Sequence, residues 1–355
     1  MRLSTIAGAF SSTFMGELVR KFSAVEDGAG FVFRRFEAGM RPPLKPGVER
    51  FFWDTSMESR DPAGPVGPDS PPVDVARTSR AAREIGLIDW KLETFLPDSE
   101  LFRERGLGKD LADPDGLAAV TVENLMGKIR IALEIIAVGL LQGPVNLATV
   151  ITGSQIAGTI GEAVSSYAFS NAWDQAATKI VSEEIKDLVK AYGDAAGLKP
   201  GLALVSPEID GYLMANDEVR EWGRQQYGEA FLLANPADED VFRGLQIGGL
   251  KWQKSIGGYG PTATRTQYMP ANKALILPQD PGRALGLVLG HGVVPASAFG
   301  QAGSIQGLRS PAPAPGFYSY AKDGGERGDG VRIVVGWRGA MFVKDPTAVM
   351  VATVA

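Results

Sequence analysis

Between Ser56 and Ile88 the chain cannot build a core of its own. Pro62, Pro65, Pro68, Pro71 and Pro72 sit there among glycine, serine and charged residues, and no aromatic residue falls between Trp53 and Trp90. Each proline fixes φ and removes a backbone donor, so the stretch supports neither a long helix nor a central strand. Strand signals stand at both of its feet. Phe51-Phe52-Trp53-Asp54-Thr55 is one; in the other, Ile88, Trp90, Leu92 and Thr94 alternate with Asp89, Lys91 and Glu93, the period of a half-buried strand. The stretch is either a disordered linker or an extended hairpin arm whose partner surface lies elsewhere, and the two feet favour the arm.

The rest of the chain is that of a folded protein. Its 355 residues suit two domains or one elaborated domain, with 45% apolar and 22% charged residues. Residues 1–50 hold eight basic and five acidic side chains, a local +3 in a chain of net charge −5, and read as a second arm. Its close, Arg41-Pro42-Pro43-Leu44-Lys45-Pro46-Gly47, cannot be helical. The negative total offers no global basic field, so any contact with DNA is local. The N-terminus, interrupted by Glu17, Arg20 and Lys21, does not read as a signal peptide, and the apolar run Ile129 to Leu141 carries Arg130 and Glu134 and is too short to span a bilayer.

Asp113-Pro114 predicts an N-cap followed by proline at the first helical position. Val122, Leu125, Ile129, Leu133, Ile136 and Leu140 then hold one face of a long helix apolar until Gly143-Pro144 ends it. Asp174 is expected to cap a second helix, with Ala177, Val181, Ile185, Leu188 and Tyr192 on its apolar face and Gly193 or Gly197 as terminator. Leu202 to Val205 reads as a buried strand, and Ser206-Pro207-Glu208 opens a short helix followed by another at DEVREWG. Further strands are expected at Leu250 to Ile256, Lys273 to Leu277, Phe317 to Ala321, Val331 to Trp337 and Val349 to Val354.

Chemistry is sparsely provided for. With no cysteine and a single histidine, His291, thiolate zinc sites, iron–sulfur clusters, disulfides and multi-histidine metal sites are excluded. His291, in Leu289-Gly290-His291-Gly292, has no acidic or nucleophilic neighbour and reads as structural. There is no phosphate loop and no nucleophile elbow, and Gly257-Gly258-Tyr259-Gly260-Pro261 reads as a turn. The acidic runs Asp238-Glu239-Asp240 and Asp323 to Asp329 lack the spacing of a calcium loop and read as solvated. The six tryptophans are well separated and suit core anchors rather than a stacking platform. Arg77, Arg80 and Arg83 place positive charge on the hairpin arm, fit either to pair with acidic surface on a neighbouring subunit or to remain a solvated face.

The ordered set of elements resembles the major capsid protein of tailed bacteriophages, whose coat fold is shared with bacterial encapsulins. The arm at 1–50, the hairpin from Asp54 to Trp90, the strand running into a turn at LETFLPDSELF and the helix from Pro114 to Gln142 resemble the family's N-terminal arm, E-loop, following strand and spine helix. Trp173-Asp174, the Gly197 to Pro200 turn and LALVSPEIDGYLMANDEVREWG resemble its axial domain, and VRIVVGWRGAMFVKDPTAVMVATV its closing strands. The resemblance implies an α+β fold divided into an N-terminal arm (1–50), E-loop hairpin (51–92), peripheral domain (93–172, spine helix 114–142), axial domain (173–300) and return strands (301–355).

It also implies a coat subunit that assembles as hexamers and pentamers into an icosahedral head around double-stranded DNA, without catalytic groups, cofactors or a membrane. Localisation would be the virion, assembled in the bacterial cytoplasm. Trp53, Arg77, Arg80, Arg83 and Trp90 are its candidate inter-subunit contacts. Only about 50 residues precede the first strand, so a separate scaffold is expected rather than a fused one. No lysine lies between Lys45 and Lys91, which argues against E-loop cross-linking and for non-covalent contacts or a cement protein; a portal is a further expected partner. An encapsulin-type shell around a protein cargo, or an enzyme with a carboxylate or Ser-Lys site, are the alternative readings.

Overall fold

The computed structural model describes residues 32–46, 48, 50–55, 81–106, 116–142, 164–227, 246–255, 257–260, 265–294, 310–323 and 330–354. The first elements are α1 (Phe33–Glu37), β1 (Arg50–Thr55), β2 (Ala81–Gly86), β3 (Ile88–Pro97), α2 (Asp98–Gly106) and α3 (Leu117–Leu141). β1 and β3 lie at the two strand feet read from sequence. The turn expected after Leu96 is instead α2, whose first turn carries Asp98 and Glu100 where the helix dipole favours negative charge. In α3 all six residues of the apolar stripe are buried. The helix starts later than Asp113-Pro114 predicts, because Gly116 is extended (φ −76°, ψ 166°) and serves as the N-cap with no side-chain bond. Asp113 and Pro114 themselves lie outside the described residues.

Next come β4 (Ser165–Ala168), one π-helical turn (Ile180–Ile185) leading into α4 (Lys186–Ala196), β5 (Pro200–Val205), α5 (Pro207–Ala215), α6 (Asp217–Tyr227), β6 (Gln246–Ile247) and β7 (Leu250–Lys254). Asp174 does not cap a helix: residues 172–179 form turns, and the π turn begins after Lys179 with no side-chain cap. Gly193 lies inside α4, whereas Gly197 ends it in the left-handed region (φ 60°), its N–H reaching the Gly193 carbonyl at 2.8 Å. Ser206 caps α5 as its Ser-Pro signal predicts, accepting from the Ile209 N–H at 3.3 Å.

The chain closes with β8 (Gly258–Tyr259), β9 (Thr266–Gln267), β10 (Lys273–Pro278), α7 (Pro281–Ala284), β11 (Leu285–Leu289), β12 (His291–Val294), β13 (Ser310–Asp323), β14 (Gly330–Val343) and β15 (Met350–Thr353). Gly258 and Tyr259, read as turn residues, form β8 and pair with β9. β11 and β12 were not expected, and β14 runs six residues past Trp337 to Val343.

Two large sheets organise these strands. One has the order β4-β15-β10-β5-β7-β6. The apolar runs of its central strands are buried on both faces: Leu202, Leu204, Leu275, Leu277 and Val351 join one core, while Ala203, Val205, Ala274, Ile276 and Met350 join another with Trp173, Trp252 and α4. The second sheet is built around β14. Its one edge pairs with β13, and its other edge pairs first with β3 over ten residues and then with β11, while β12 extends the sheet beyond β13. Leu96, Val331, Ile333, Val335 and Trp337 on one face of this sheet pack in the same core as α3 and Phe36.

The opposite face is locked by Tyr318. Its ring lies between two glycines: a Cβ on Gly292 would fall 2.1 Å from the ring and a Cβ on Gly336 2.4 Å. Gly336→Ala is therefore expected to destabilise the fold by about 1–3 kcal/mol through overpacking. Urea unfolding measures this, and an unchanged midpoint would show that the ring moves aside.

Candidate assembly surfaces

A buried carboxylate helps to fasten the N-terminal arm to the body. α1 has no side-chain cap of its own, since Val32 stands at its N-cap position. Glu134, fully buried on α3, fills that role: its Oε1 accepts from the Val32 N–H at 2.7 Å and its Oε2 from the Phe33 N–H at 2.9 Å. Charge-assisted bonds of this kind satisfy two orphan donors of a helix start at once. Beyond α1 the arm runs along β11. The Arg41 N–H donates to the Leu287 carbonyl at 2.9 Å and the Leu44 N–H to the Leu289 carbonyl at 3.0 Å. Gly39 permits this approach, because a Cβ there would stand 1.9 Å from the Leu285 carbonyl oxygen.

The hairpin arm is a separate structure. β1 and β2 pair antiparallel over six residues, Arg50 opposite Gly86 through Thr55 opposite Ala81, and join neither large sheet. At its foot Ile85 is buried with Val288, Ala340 and Phe342, and Leu44 of the first arm packs on the same cluster. Of the candidate contact residues, Trp53 and Arg83 occupy directly paired positions of this ladder. Arg77 and Arg80 lie outside the described residues. Trp90 is half-buried on β3, opposite Trp337, and packs on the main core.

The outward face of β3 carries paired charges. Asp89 accepts from the Tyr318 hydroxyl and lies 3.0 Å from the Lys91 ammonium. Burial, then the bond to Asp89, pushes the Tyr318 phenol above its usual range. Glu93 sits between Lys322 at 2.9 Å and Arg332 at 3.1 Å. The Lys322 hydrogen bond, helped by both charges, holds the Glu93 carboxyl below its usual range. A depressed carboxylate contributes stability above its unfolded pKa and loses it as pH falls through the folded value. Glu93→Gln is accordingly expected to cost about 1 kcal/mol or less at pH 7, the pair being half exposed, and less at pH 3. Thermal unfolding at the two pH values checks this; an equal loss at both would contradict the assignment to charge.

Two more carboxylates act as Glu134 does. Glu184, buried in the π turn, accepts from the Ser170 and Asn171 N–H groups, each at 3.1 Å. Glu218 of α6 accepts from the Val181 and Ser182 N–H groups at 2.7 and 3.0 Å, supplying the cap that Lys179 does not. Asn216, fully buried, donates to the Ala176 and Thr178 carbonyls and accepts from the Val219 N–H, tying the 172–179 turns to the start of α6. These residues position the helical layer over the six-stranded sheet. Sequence reasoning missed them, though an isolated Glu within the apolar run that includes Glu134 is a readable signal for a buried polar bond.

Among the described residues no group of three or more histidine, aspartate or glutamate side chains is placed to hold a metal ion. His291 bonds through Nδ1 to the Ala312 carbonyl at 2.8 Å, tying β12 to β13. No described helix is long and apolar enough to cross a membrane. The acidic run Asp238-Glu239-Asp240 lies outside the described residues.

The family model for phage major capsid protein E matches residues 50–296. The chain belongs to that family. This capsid protein is also similar in fold to the Gordonia phage Cozz structure, at 14% identity over 92% of this chain and 86% of the other, TM-score 0.51. It is similar to the putative capsid protein of a prophage of E. coli CFT073, at 13% identity over 96% and 99% of the two chains, TM-score 0.52. The mature capsid of bacteriophage PhiM1 matches at 9% identity over 90% and 86%, TM-score 0.50. No curated protein matches in sequence. The capsid protein is thus a structural component of the virion with the α+β tailed-phage coat fold.

Proposed function

We propose that this capsid protein assembles as hexamers and pentamers of an icosahedral head that encloses double-stranded DNA. The observation that carries the reading is the β1–β2 ladder: six paired residues joined to neither large sheet, rooted by Ile85, and continuous with a stretch that holds no aromatic residue. Such a hairpin is stabilised when it lies across a neighbour, and contacts of this kind, repeated by symmetry, make a closed shell from modest interfaces.

In this reading residues 93–172, with α3, are the peripheral domain, residues 173–300, with α4, α5 and α6, are the axial domain, and the segment 301–355 returns to both. Trp53, Arg77, Arg80, Arg83 and Trp90 lie in the hairpin and at its feet and contact the next subunit. The arm at 1–50 meets packaged DNA through phosphate contacts without reading sequence. Assembly occurs in the host cytoplasm with a separate scaffold, a portal and non-covalent or cement-protein reinforcement, and uses no catalytic group. Particles purified from a lysate of the complete phage are expected to hold nuclease-protected double-stranded DNA. Particles holding only protein would overturn the DNA reading in favour of an encapsulin-type container.

A further inference from the structure

The described part of the N-terminal arm, 32–46, bridges several parts of the body before the hairpin begins. Its first end is held by α3: Glu134 takes the Val32 and Phe33 N–H groups, and Phe36 is buried in the main core. Arg35 reaches the other way and donates through Nη2 to the Gln253 side chain on β7 of the six-stranded sheet. At Ala38 and Gly39 the backbone lies close against α7 and β11. A Cβ on Gly282 would stand 2.5 Å from the Ala38 carbonyl oxygen, and the Lys344 ammonium donates to the Gly282 and Gly39 carbonyls at 2.8 and 3.3 Å.

The second end serves the hairpin. β11 pairs with β14, and the arm supplies donors to β11 as well: Met40 bridges Leu287 in parallel, and the Arg41 and Leu44 N–H groups take the Leu287 and Leu289 carbonyls. That run sets Leu44 on the buried cluster of Ile85, Val288, Ala340 and Phe342, in which Ile85 is the foot of β2. β1 then starts at Arg50, which pairs with Gly86, the neighbour of Ile85. Neither hairpin strand joins a large sheet, and a two-stranded ladder is marginal without a surface to pack on. Part of the surface under this one is the arm itself.

We propose that residues 32–46 are a strap whose docking on β11 holds the hairpin foot, so that arm and hairpin dock and loosen as one cooperative unit. Undocking the strap withdraws Leu44 from the Ile85 cluster; loosening the foot in turn weakens the strap. In the assembly proposed for this capsid protein, docking of the arm is then the step that presents the hairpin to a neighbour. That consequence rests on the assembly reading, whereas the coupling belongs to the single subunit and is tested there.

Hydrogen exchange of the full-length subunit, read by mass spectrometry, tests it, because each end of the coupling can be disturbed by itself. Gly39→Ala disturbs the strap: its Cβ would fall 1.9 Å from the Leu285 carbonyl oxygen, a backbone atom with little room to move. Glu134→Leu loosens the same segment from its other end, so that one strap variant remains if the other fails to fold. Ile85→Ala disturbs the hairpin foot and touches no hydrogen bond of the strap. Labelling times are kept short enough that β5 and β10 stay protected in every variant, which excludes opening of the whole fold. Each strap variant is expected to speed exchange in residues 40–44 and, by a similar factor of roughly ten, in β1 and β2. Ile85→Ala is expected to speed exchange in residues 40–44 as well as in the hairpin. Faster exchange in residues 40–44 with parental rates in β1 and β2 would overturn the proposal, and so would a hairpin loosened by Ile85→Ala over an unmoved strap. Equal loosening of the β11–β14 ladder would route the effect through β11 and overturn it too. Parental rates in all three variants would show that these contacts do not hold the strap, with the same result.

Discussion

Glu134→Leu is expected to release the N-terminal arm and to lower the unfolding free energy of the subunit by about 3 kcal/mol. The carboxylate accepts two backbone N–H bonds in a fully buried site, and no other side chain caps α1. Hydrogen bonds to a charged group contribute about 1.5–3 kcal/mol each, and a buried donor left without an acceptor costs a similar amount. Leucine keeps most of the volume, so the loss reports the polar contacts rather than a cavity. Phe36, buried in the main core, and the Arg41 and Leu44 bonds to β11 depend on where α1 starts. Limited proteolysis is therefore expected to cut between Val32 and Gly47 in the variant and not in the parent, in step with a lower urea midpoint. A midpoint within experimental error of the parent, with the arm still protected, would show that α1 is held without the carboxylate. Glu134→Gln separates charge from geometry: it keeps one acceptor and is expected to lose less than leucine does.

The largest effect is expected from the hairpin. Replacing residues 56–80 with a short Gly-Ser turn keeps every paired residue of β1 and β2 and the Ile85 foot. Because the removed stretch holds no aromatic residue and lies between two paired strands, the subunit is expected to fold with an unchanged urea midpoint. Assembly is expected to fail, with closed shells falling by at least ten-fold in sedimentation, since the reach to the neighbour is gone. Normal shells from this variant would show that the hairpin tip is dispensable and remove Arg77 and Arg80 from the contact set.

The two arms show what kind of information the sequence carries. α3 was legible because one apolar face recurs over six positions, and the hairpin because a coreless stretch lies between two period-two feet. The start of α3 was not, since Asp113-Pro114 is a strong local cap signal while the observed cap, Gly116, offers only backbone. The same holds at Asp174. Asn216 ties down the 172–179 turns and Glu218 the start of the π turn, both some forty residues later, which no local pattern reveals.

β11 and β12 were hidden for another reason. Gly286, Gly290 and Gly292 break the strand pattern, and they are there because side chains press against the backbone: Phe342 at Gly286, Leu87 at Gly290 and Tyr318 at Gly292. Glycine marks such an approach, and the approaching side chain belongs to another part of the chain. Of the candidate contacts, Trp53 and Arg83 could be chosen from composition, but their pairing depends on a register that no local pattern gives. Of the three carboxylates that each accept two backbone N–H bonds, only Glu134 stands as an isolated acid among apolar neighbours; Glu184 follows Glu183 and Glu218 follows Asp217, so local sequence does not single them out.

The central claim is that this chain is a coat subunit whose stable form is an assembly. Electron microscopy of the purified full-length protein, expressed alone and with its scaffold and paired with sedimentation, tests it most directly. Closed shells or capsomer rings in at least one of the two preparations are the expected result. A well-folded monomer in both, at every concentration reached, would contradict the account.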